Sequence, residues 1–373
     1  MQIAILRETL LKLLRMVSGA VERRQQQNPI LSNVLLRATE TTLYIVATDQ
    51  EVELVAEQML QDQIKQPGEI TVPFRKLNDI CKALPDGSQL LLEVQDDRFI
   101  IKSGRSRFVL ATLPAAQFPD VQKIHSDNSV CSFKVPKKQF HWLVARTAFA
   151  MAEQDVRYFL NGMLLEVKQD KLFSVAADGH RLAMNYIALT ELGLPGMRVI
   201  VPRKGILEIM RLVDEDDSEL QLTIVASHIQ AHSGGVTVTS KLLDGKFPDY
   251  ERVIPRDGDK VVIGNRERLK EAFNRAAALF SEKFRGVRLR MSAERLMVLA
   301  SNPEHDHVEE DLEVEYNGQD LEVGFNVRYL IDFLSVVQSD LVRFTFSDAN
   351  KSTLIEEVGD GANGAYVLMP IRT

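Results

Sequence analysis

The chain has 373 residues, too many for one core and about the length of three ordinary domains. Apolar residues make up 45% and charged residues 26%, the balance of a soluble globular protein, and the net charge of -7 at pH 7 taken alone argues against a nucleic-acid partner. Two cysteines, Cys81 and Cys131, are too few for a disulfide framework and point to a reducing cytoplasm.

The first predicted element is a helix in which Leu10, Leu13, Leu14 and Val17 form one buried stripe. Arg7, Glu8, Lys12 and Arg15 interrupt its apolar run, so neither a signal peptide nor a membrane span is expected there. A strand and turn follow in LYIVATDQ from Leu43. A second helix carries Leu77, Ile80, Cys81 and Leu84, opened by TVPFRK, where proline near the first turn costs nothing. RFIIKSGRSRFVLATL reads as half-buried antiparallel strands joined by a turn, ending in LPAAQFPD from Leu113. The polar stretch near 122–129 reads as a linker.

The same four segments then return in order. Phe140, Leu143, Val144 and Thr147 repeat the first stripe, and LFSVAADGH from Leu172 repeats the strand and turn. IVPRKG opens a helix with Ile206, Ile209, Met210 and Val213, and LLDGKFPD follows from Leu242. After a second linker near 251–260, with Pro and Gly as breakers, Leu269, Ala272, Phe273 and Ala276 begin a third copy. LMVLASNPE from Leu296 and the stripe Leu330, Phe333, Leu334, Val337 continue it, and AYVLMPIRT closes it without the FPD tail. The offsets are 130, 129, 129 and 129 from the first copy to the second, then 129, 124 and 124. Chance similarities would not hold that phase. Three domains are expected, at 1–126, 127–254 and 255–373, each α+β with two helices packed on antiparallel sheet.

A repeat of this size is roughly 35 Å across, so three in a closed circle leave a hole of only about 5 Å. Six leave a hole of roughly 35 Å, enough for a hydrated duplex. Two chains joined head to tail by a two-fold rotation would supply six and cover the terminal sheet edges. Charge supports this arrangement. The helical segments 7–20, 73–84, 136–152, 202–213, 264–281 and 325–338 together carry +11, leaving -18 elsewhere. Basic helices inside an acidic shell suit a ring around DNA, with salt-sensitive, sequence-independent phosphate contacts that permit sliding.

The motifs RYFLNGMLLEV, AADGHRLA, VIVPRKG, SKLLDGKFPDYERV, EKFRGVRL, GFNVRYL and YVLMPIR, in this order over essentially the whole chain, resemble those of the bacterial DNA polymerase sliding clamps. These are the β subunits of DNA polymerase III. The resemblance implies a ring-shaped, head-to-tail homodimer of three clamp-type domains per subunit, with helices lining the hole and sheets outside. It implies a non-catalytic processivity factor without cofactor that encircles duplex DNA. Such a clamp tethers the replicative polymerase catalytic subunit, and a clamp loader opens and loads it. Translesion polymerases, mismatch repair proteins and ligase are further implied partners, and no membrane is.

The resemblance also implies a groove for short linear peptides of these partners, its apolar walls and few polar fixers suited to an extended chain. Carried over by motif, the lining comprises Leu160, then Gly179, His180, Arg181 and Leu182, then Pro248, Arg252 and Val253. Phe284, Asn326 and Tyr329 follow, and Val367, Leu368, Met369, Pro370, Ile371 and Arg372 close it. Ala177 stands where the family often has threonine, and Thr373 where an apolar or basic residue is common; both should tune affinity. The positions matching the family's DNA contacts are Arg24, Arg75, Lys76, Gln154, Tyr158, Phe159, Arg203 and Lys204. A basic pair at a helix start opposes the helix dipole unless phosphates are the anions attracted. At the ring joint, Phe108 with Arg105 and Arg107 should meet Ala278, Leu279 and the acids of EHDHVEED, opposite charges fixing register.

Asp178 and His180 could be read as an acid–base pair. The equivalent turns carry Asp49 and Asn302, so the position is expected to be an Asx turn in every copy. His305 and His307 flank Asp306 in an acidic loop with no third ligand cluster, so no metal site is expected. SGRSR and SGGVT match no phosphate-binding loop. Trp142 and the phenylalanines sit on core stripes. A monomeric repeat scaffold that binds peptides without DNA is the alternative to a clamp; the segregated charge and basic helix starts favour the clamp.

Overall fold

The computed structural model describes residues 1–22, 28–60, 64–119, 131–213, 218–280, 285–302, 305–359 and 363–371. Three expected site residues, Arg24, Phe284 and Arg372, lie outside them, as does Thr373.

Within these residues one order recurs six times: a strand, a helix entered directly from it, then three strands. The first runs β1 (Gln2–Leu6), α1 (Arg7–Val17), β2 (Asn33–Ala38), β3 (Thr42–Thr48) and β4 (Val52–Met59). The second runs β5 (Gly68–Pro73), α2 (Phe74–Ala83), β6 (Gln89–Gln95), β7 (Arg98–Ser103) and β8 (Ser106–Ala111). Next come β9 (Cys131–Pro136), α3 (Lys137–Ala145), β10 (Gly162–Lys168), β11 (Lys171–Ala177) and β12 (Arg181–Ala188). The fourth is β13 (Met197–Pro202), α4 (Arg203–Leu212), β14 (Glu219–Ile224), β15 (His228–Ser233) and β16 (Val236–Lys241). The fifth is β17 (Lys260–Asn265), α5 (Arg266–Ala277), β18 (Gly286–Ser292), β19 (Arg295–Ser301) and β20 (His307–Glu313). The last is β21 (Leu321–Asn326), α6 (Val327–Val336), β22 (Leu341–Phe346), β23 (Thr353–Glu357) and β24 (Ala365–Leu368). Each sequence repeat is therefore two half-repeats of the same topology.

The strand-to-helix junctions have local causes. Pro73, Pro136 and Pro202 end their strands because proline cannot extend a ladder, and its fixed φ suits a helix start. Asn265 and Asn326 do the same work by capping, their Oδ1 atoms accepting from the amides of Arg268 and Arg328 at 3.1 Å. The stripes of α1 (Leu10, Leu13, Leu14 and Val17) and α5 (Leu269, Ala272, Phe273 and Ala276) are buried, while Ile80 and Met210 on the stripes of α2 and α4 are half-buried. Each fully buried leucine contributes about 1.5–3 kcal/mol.

Two expectations are corrected. Thr147 lies beyond the end of α3 rather than on its stripe, and its buried hydroxyl meets Ser174 Oγ at 2.9 Å. Trp142 is half-buried rather than core, with the Arg146 guanidinium 4.4 Å from its ring centroid, because an indole can shed water against a cation as well as against apolar atoms.

The chain forms two compact units, Met1–Lys137 with Lys204–Leu242 and Lys138–Arg203 with Leu243–Thr373. The first unit holds an eight-stranded sheet, β5-β2-β3-β4-β16-β15-β14-β9, and a four-stranded sheet, β1-β6-β7-β8. The second holds the eight-stranded sheet β13-β10-β11-β12-β24-β23-β22-β17 and the four-stranded sheet β20-β19-β18-β21. All pairs are antiparallel, and paired half-repeats exchange first strands: β1 joins β6 while β5 joins β2. One repeat's β4 joins the next one's β16, and β12 likewise joins β24. Of the six strands that close the half-repeats, that rule leaves only β8 and β20 without such a neighbour among the described residues; β1, β5, β9, β13, β17 and β21 end their sheets as well.

The observed helices are shorter than the expected segments, yet five of the six still carry +2 and α6 is neutral. Together they hold +10, so the remaining residues hold -17 of the net -7. Lys12, Arg15, Arg75, Lys76, Lys82 and Lys138 are all exposed.

Candidate functional site

The second unit gathers most of the expected groove residues around one turn. Between β11 and β12, Asp178 Oδ1 accepts from the amides of His180 at 2.9 Å and Arg181 at 3.0 Å. Asp49 does the same for Glu51 and Val52 at 3.0 and 2.8 Å, and Asn302 Oδ1 accepts from Asp306 at 2.8 Å. The acid is thus a turn-former wherever it recurs. Gly179 has φ +89, and a Cβ there would lie 2.3 Å from Arg157 Nη2, so the turn needs glycine for both conformation and room.

Arg157 opens the motif RYFLNGMLLEV without a role assigned from the sequence, and it closes this turn. Its Nη2 donates to Asp178 O at 3.3 Å, and its guanidinium forks onto Asp155 at 3.0 and 2.9 Å. Those hydrogen bonds hold the Asp155 carboxyl down to about 2. Asn161 locks the same loop by accepting from Asp155 N at 2.8 Å and donating to Asp155 O at 2.9 Å.

Arg181 is a hub with only 9% of its side chain exposed. It donates to Asp178 Oδ2 at 2.9 Å, Asp332 Oδ2 at 2.7 Å and Phe149 O at 2.6 Å, and it lies over the Tyr329 ring. Its planar fork uses every direction, which a lysine could not do. Phe149 and Asp332 lie outside the sequence motifs, and Arg157 lies in one without an assigned role.

Leu160, Leu182 and Val367 are buried in one cluster with Ala177, Phe247 and Tyr250, and Leu368 is fully buried. They form the floor. The exposed apolar atoms above it come from Met369, Ile371 and Val253, at 43%, 38% and 37%. His180, Pro248 and Arg252 are exposed as well. Backbone bonds fix the closing segment: Met369 N donates to His180 O at 2.9 Å and Ile371 N to Gly324 O at 2.9 Å. Asn326 spends its carbonyl on the α6 cap, and Pro370 is half-buried. A cleft of about 350 Å³ adjoins, lined by Phe149, Glu153, Asp155, His180, Arg181, Arg203 and Tyr329 among others.

The expected DNA-contact residues divide between the units. In the first, Arg75 and Lys76 are exposed at the start of α2, whereas Lys204 is ion-paired with Asp49. In the second, Arg203 Nη2 lies 2.8 Å from Glu153 Oε1, while Gln154, at φ +57, and Tyr158 stand exposed. The Tyr158 and Phe159 rings meet edge to face at 6.0 Å. At the expected joint, Arg105 and Arg107 are exposed and Phe108 is half-buried, Arg107 and Phe108 lying on edge strand β8. In the other unit Ala278 is exposed, Leu279 half-buried, and Glu310 is held by Arg275 through two contacts of 2.8 Å. Glu309 remains exposed.

Asp306 is hydrogen-bonded to Asn302. Among the described residues no group of three or more His, Cys, Asp or Glu could hold a metal ion, and no helix is long and apolar enough to cross a membrane.

Family models for the N-terminal, central and C-terminal domains of the DNA polymerase III beta subunit match residues 1–122, 134–249 and 251–372. The chain is 51% identical to the beta sliding clamp of Pseudomonas aeruginosa over 372 residues, covering 100% of each chain. A crystal structure of the DNA polymerase III subunit beta from the same organism superposes with TM-score 0.95 at 50% identity over 100% of both chains. A second structure from that organism, bound to griselimycin, gives 0.94 at 51% identity, again over 100% of both chains.

Proposed function

From the premise that this chain belongs to the DNA polymerase III beta subunit family, the beta sliding clamps, which are non-catalytic processivity subunits, we propose that two copies close head to tail into a ring around duplex DNA. The carrying observation is that β4 pairs with β16 and β12 with β24, whereas β8 and β20, the two remaining strands of that kind, end their sheets. β16 pairs with β4 through Val238 opposite Leu54 and Thr237 opposite Val55. In the repeat, β8 occupies the place of β16 and β20 the place of β4, so a second copy supplies what each edge lacks. The same register sets Phe108 opposite Val308 and Arg107 opposite Glu309 of the other copy. Apolar packing would supply strength there and the ion pair register.

The basic helices then line the bore, with Arg75 and Lys76 as phosphate contacts and Gln154, Tyr158 and Phe159 as further DNA contacts. Arg203 and Lys204 reach DNA by exchanging Glu153 and Asp49 for phosphate, at a cost that keeps contact weak enough for sliding. Partner peptides from the polymerase catalytic subunit, the clamp loader, translesion polymerases, mismatch repair proteins and ligase share the groove over Leu160, Leu182 and Val367. Its rims are Pro248–Val253 and Met369–Ile371. Domain limits near 126 and 254 and a cytoplasmic setting, with Cys81 and Cys131 buried and in no disulfide, complete the reading.

Sedimentation at micromolar concentration tests closure: a dimer is expected, and a chain that stays monomeric sinks the ring. Removing Met369 to Thr373 should abolish binding of a polymerase peptide and leave the dimer intact.

A further inference from the structure

The three repeats place a charged pair at one cross-strand position, and the second repeat inverts it. Arg37 faces Glu69 between β2 and β5, and Arg290 faces Glu322 between β18 and β21. In both cases the two side chains meet, at 3.1 and 2.8 Å, and Glu322 accepts as well from Arg288 on its own sheet at 3.2 Å. The equivalent pair between β10 and β13 is Glu166 facing Arg198, with the signs exchanged, and it is stretched to 4.0 Å.

The inverted pair is drawn toward a third partner. Arg198 Nη2 donates to Phe247 O at 3.3 Å and Pro248 O at 3.1 Å. Glu166 Oε2 accepts from the Tyr250 hydroxyl at 2.8 Å, and next to it Lys168 pairs with Glu251 at 2.7 Å. Tyr250 is 3% exposed and packs in the cluster that holds Leu160, Leu182 and Val367. With the signs of the other two repeats, a carboxylate would face two carbonyl oxygens and the tyrosine hydroxyl would lose its acceptor. Only Glu166 with Arg198 can bracket this segment.

We infer that Glu166, Arg198 and Tyr250 are positioning residues that hold the Pro248–Val253 rim at the distance an extended partner peptide requires. This rests on the groove reading above. The bracket does not touch the peptide; it removes the freedom the rim would otherwise lose on binding.

The probe is a synthetic peptide spanning the clamp-binding segment of the host's replicative polymerase, titrated into the full-length dimer. The exchange Glu166→Arg with Arg198→Glu preserves a cross-strand pair and destroys the bracket. It should weaken the peptide about tenfold, mostly through faster dissociation. Tyr250→Phe removes only a hydroxyl and should weaken it about threefold, with the dimer unchanged in sedimentation. Arg198→Lys should recover part of what Arg198→Met loses. The matching exchange of Arg37 and Glu69 should leave the affinity within about twofold, since that pair holds nothing else. Wild-type affinity in both the Glu166/Arg198 exchange and Tyr250→Phe overturns the inference, and so does an equal loss in the Arg37/Glu69 exchange. An unsubstituted dimer that does not bind the peptide overturns the groove reading itself.

Discussion

The guanidinium carbon of Arg181 lies 4.2 Å from the ring centroid of Tyr329, which joins the β11–β12 turn to the first turn of α6. Tyr366, stacked on Phe333 at 5.0 Å, donates to Tyr329 O at 3.1 Å from below. One wall of the proposed groove is therefore set by a buried cation with two carboxylates, Asp178 and Asp332. Arg181→Ala should cost about 3–5 kcal/mol in urea denaturation, because it strands those charges. Arg181→Lys should keep much of that stability and still weaken peptide binding, since a lysine cannot occupy the fork and the ring together. Equal stability of Arg181→Ala and the unsubstituted protein would refute the hub.

The proposed joint has a register that cysteines can read. A chain carrying Arg107→Cys and Glu309→Cys should oxidise to a doubly linked dimer on a non-reducing gel, because directly opposed cross-strand residues have Cβ atoms about 4.5–5.5 Å apart. Pairing Arg107→Cys with Asp311→Cys, two residues out of register, should cross-link poorly. Equal yields would refute the repeat-derived register.

Gly19 follows α1 within the first unit, and a Cβ there would lie 2.0 Å from Glu208 Oε2 on α4. The buried Glu208 carboxylate is held from the other side by Arg211 at 2.9 Å to both oxygens, so it cannot easily turn away. Gly19→Ala should lower stability by about 1–3 kcal/mol through overpacking. Adding Glu208→Ala should recover part of that loss, measured by urea titration; no recovery would place the strain elsewhere.

His228 is buried with Nδ1 2.8 Å from Ser227 Oγ, and burial, aided by Lys241, lowers its affinity for a proton. The unfolded chain therefore binds the proton more readily. Stability should be level above the ordinary histidine value of 6.5 and fall as pH drops below it. His228→Gln should shrink the difference in thermal midpoint between pH 7.5 and pH 5.5, values of about one unit either side of the ordinary range. An unchanged difference would assign the acid sensitivity to other groups.

The three-fold repeat is legible in the sequence because the stripes of α1, α3 and α5 bury the same face and hold one phase. The half-repeat is not, because β1–α1 and β5–α2 share only alternation and an abrupt helix start, capped by proline in some copies and asparagine in others. The motifs single out Gly179 to Leu182 and Val367 to Ile371, yet they do not reveal that Arg181 supports its surroundings from a nearly buried position. Its partners come from Phe149, Asp178 and Asp332, far apart in the chain. The inversion at Glu166 and Arg198 becomes visible only when the strands are aligned in register. Likewise the net charge misleads about DNA until helices and shell are counted separately.

Retention on DNA is the most direct measurement of a closed ring. Loaded onto nicked circular plasmid by its loader and passed through a sizing column, the protein should stay with the circle and leave once the plasmid is cut to a linear form. Equal retention on circular and linear DNA, or none on either, would contradict topological binding.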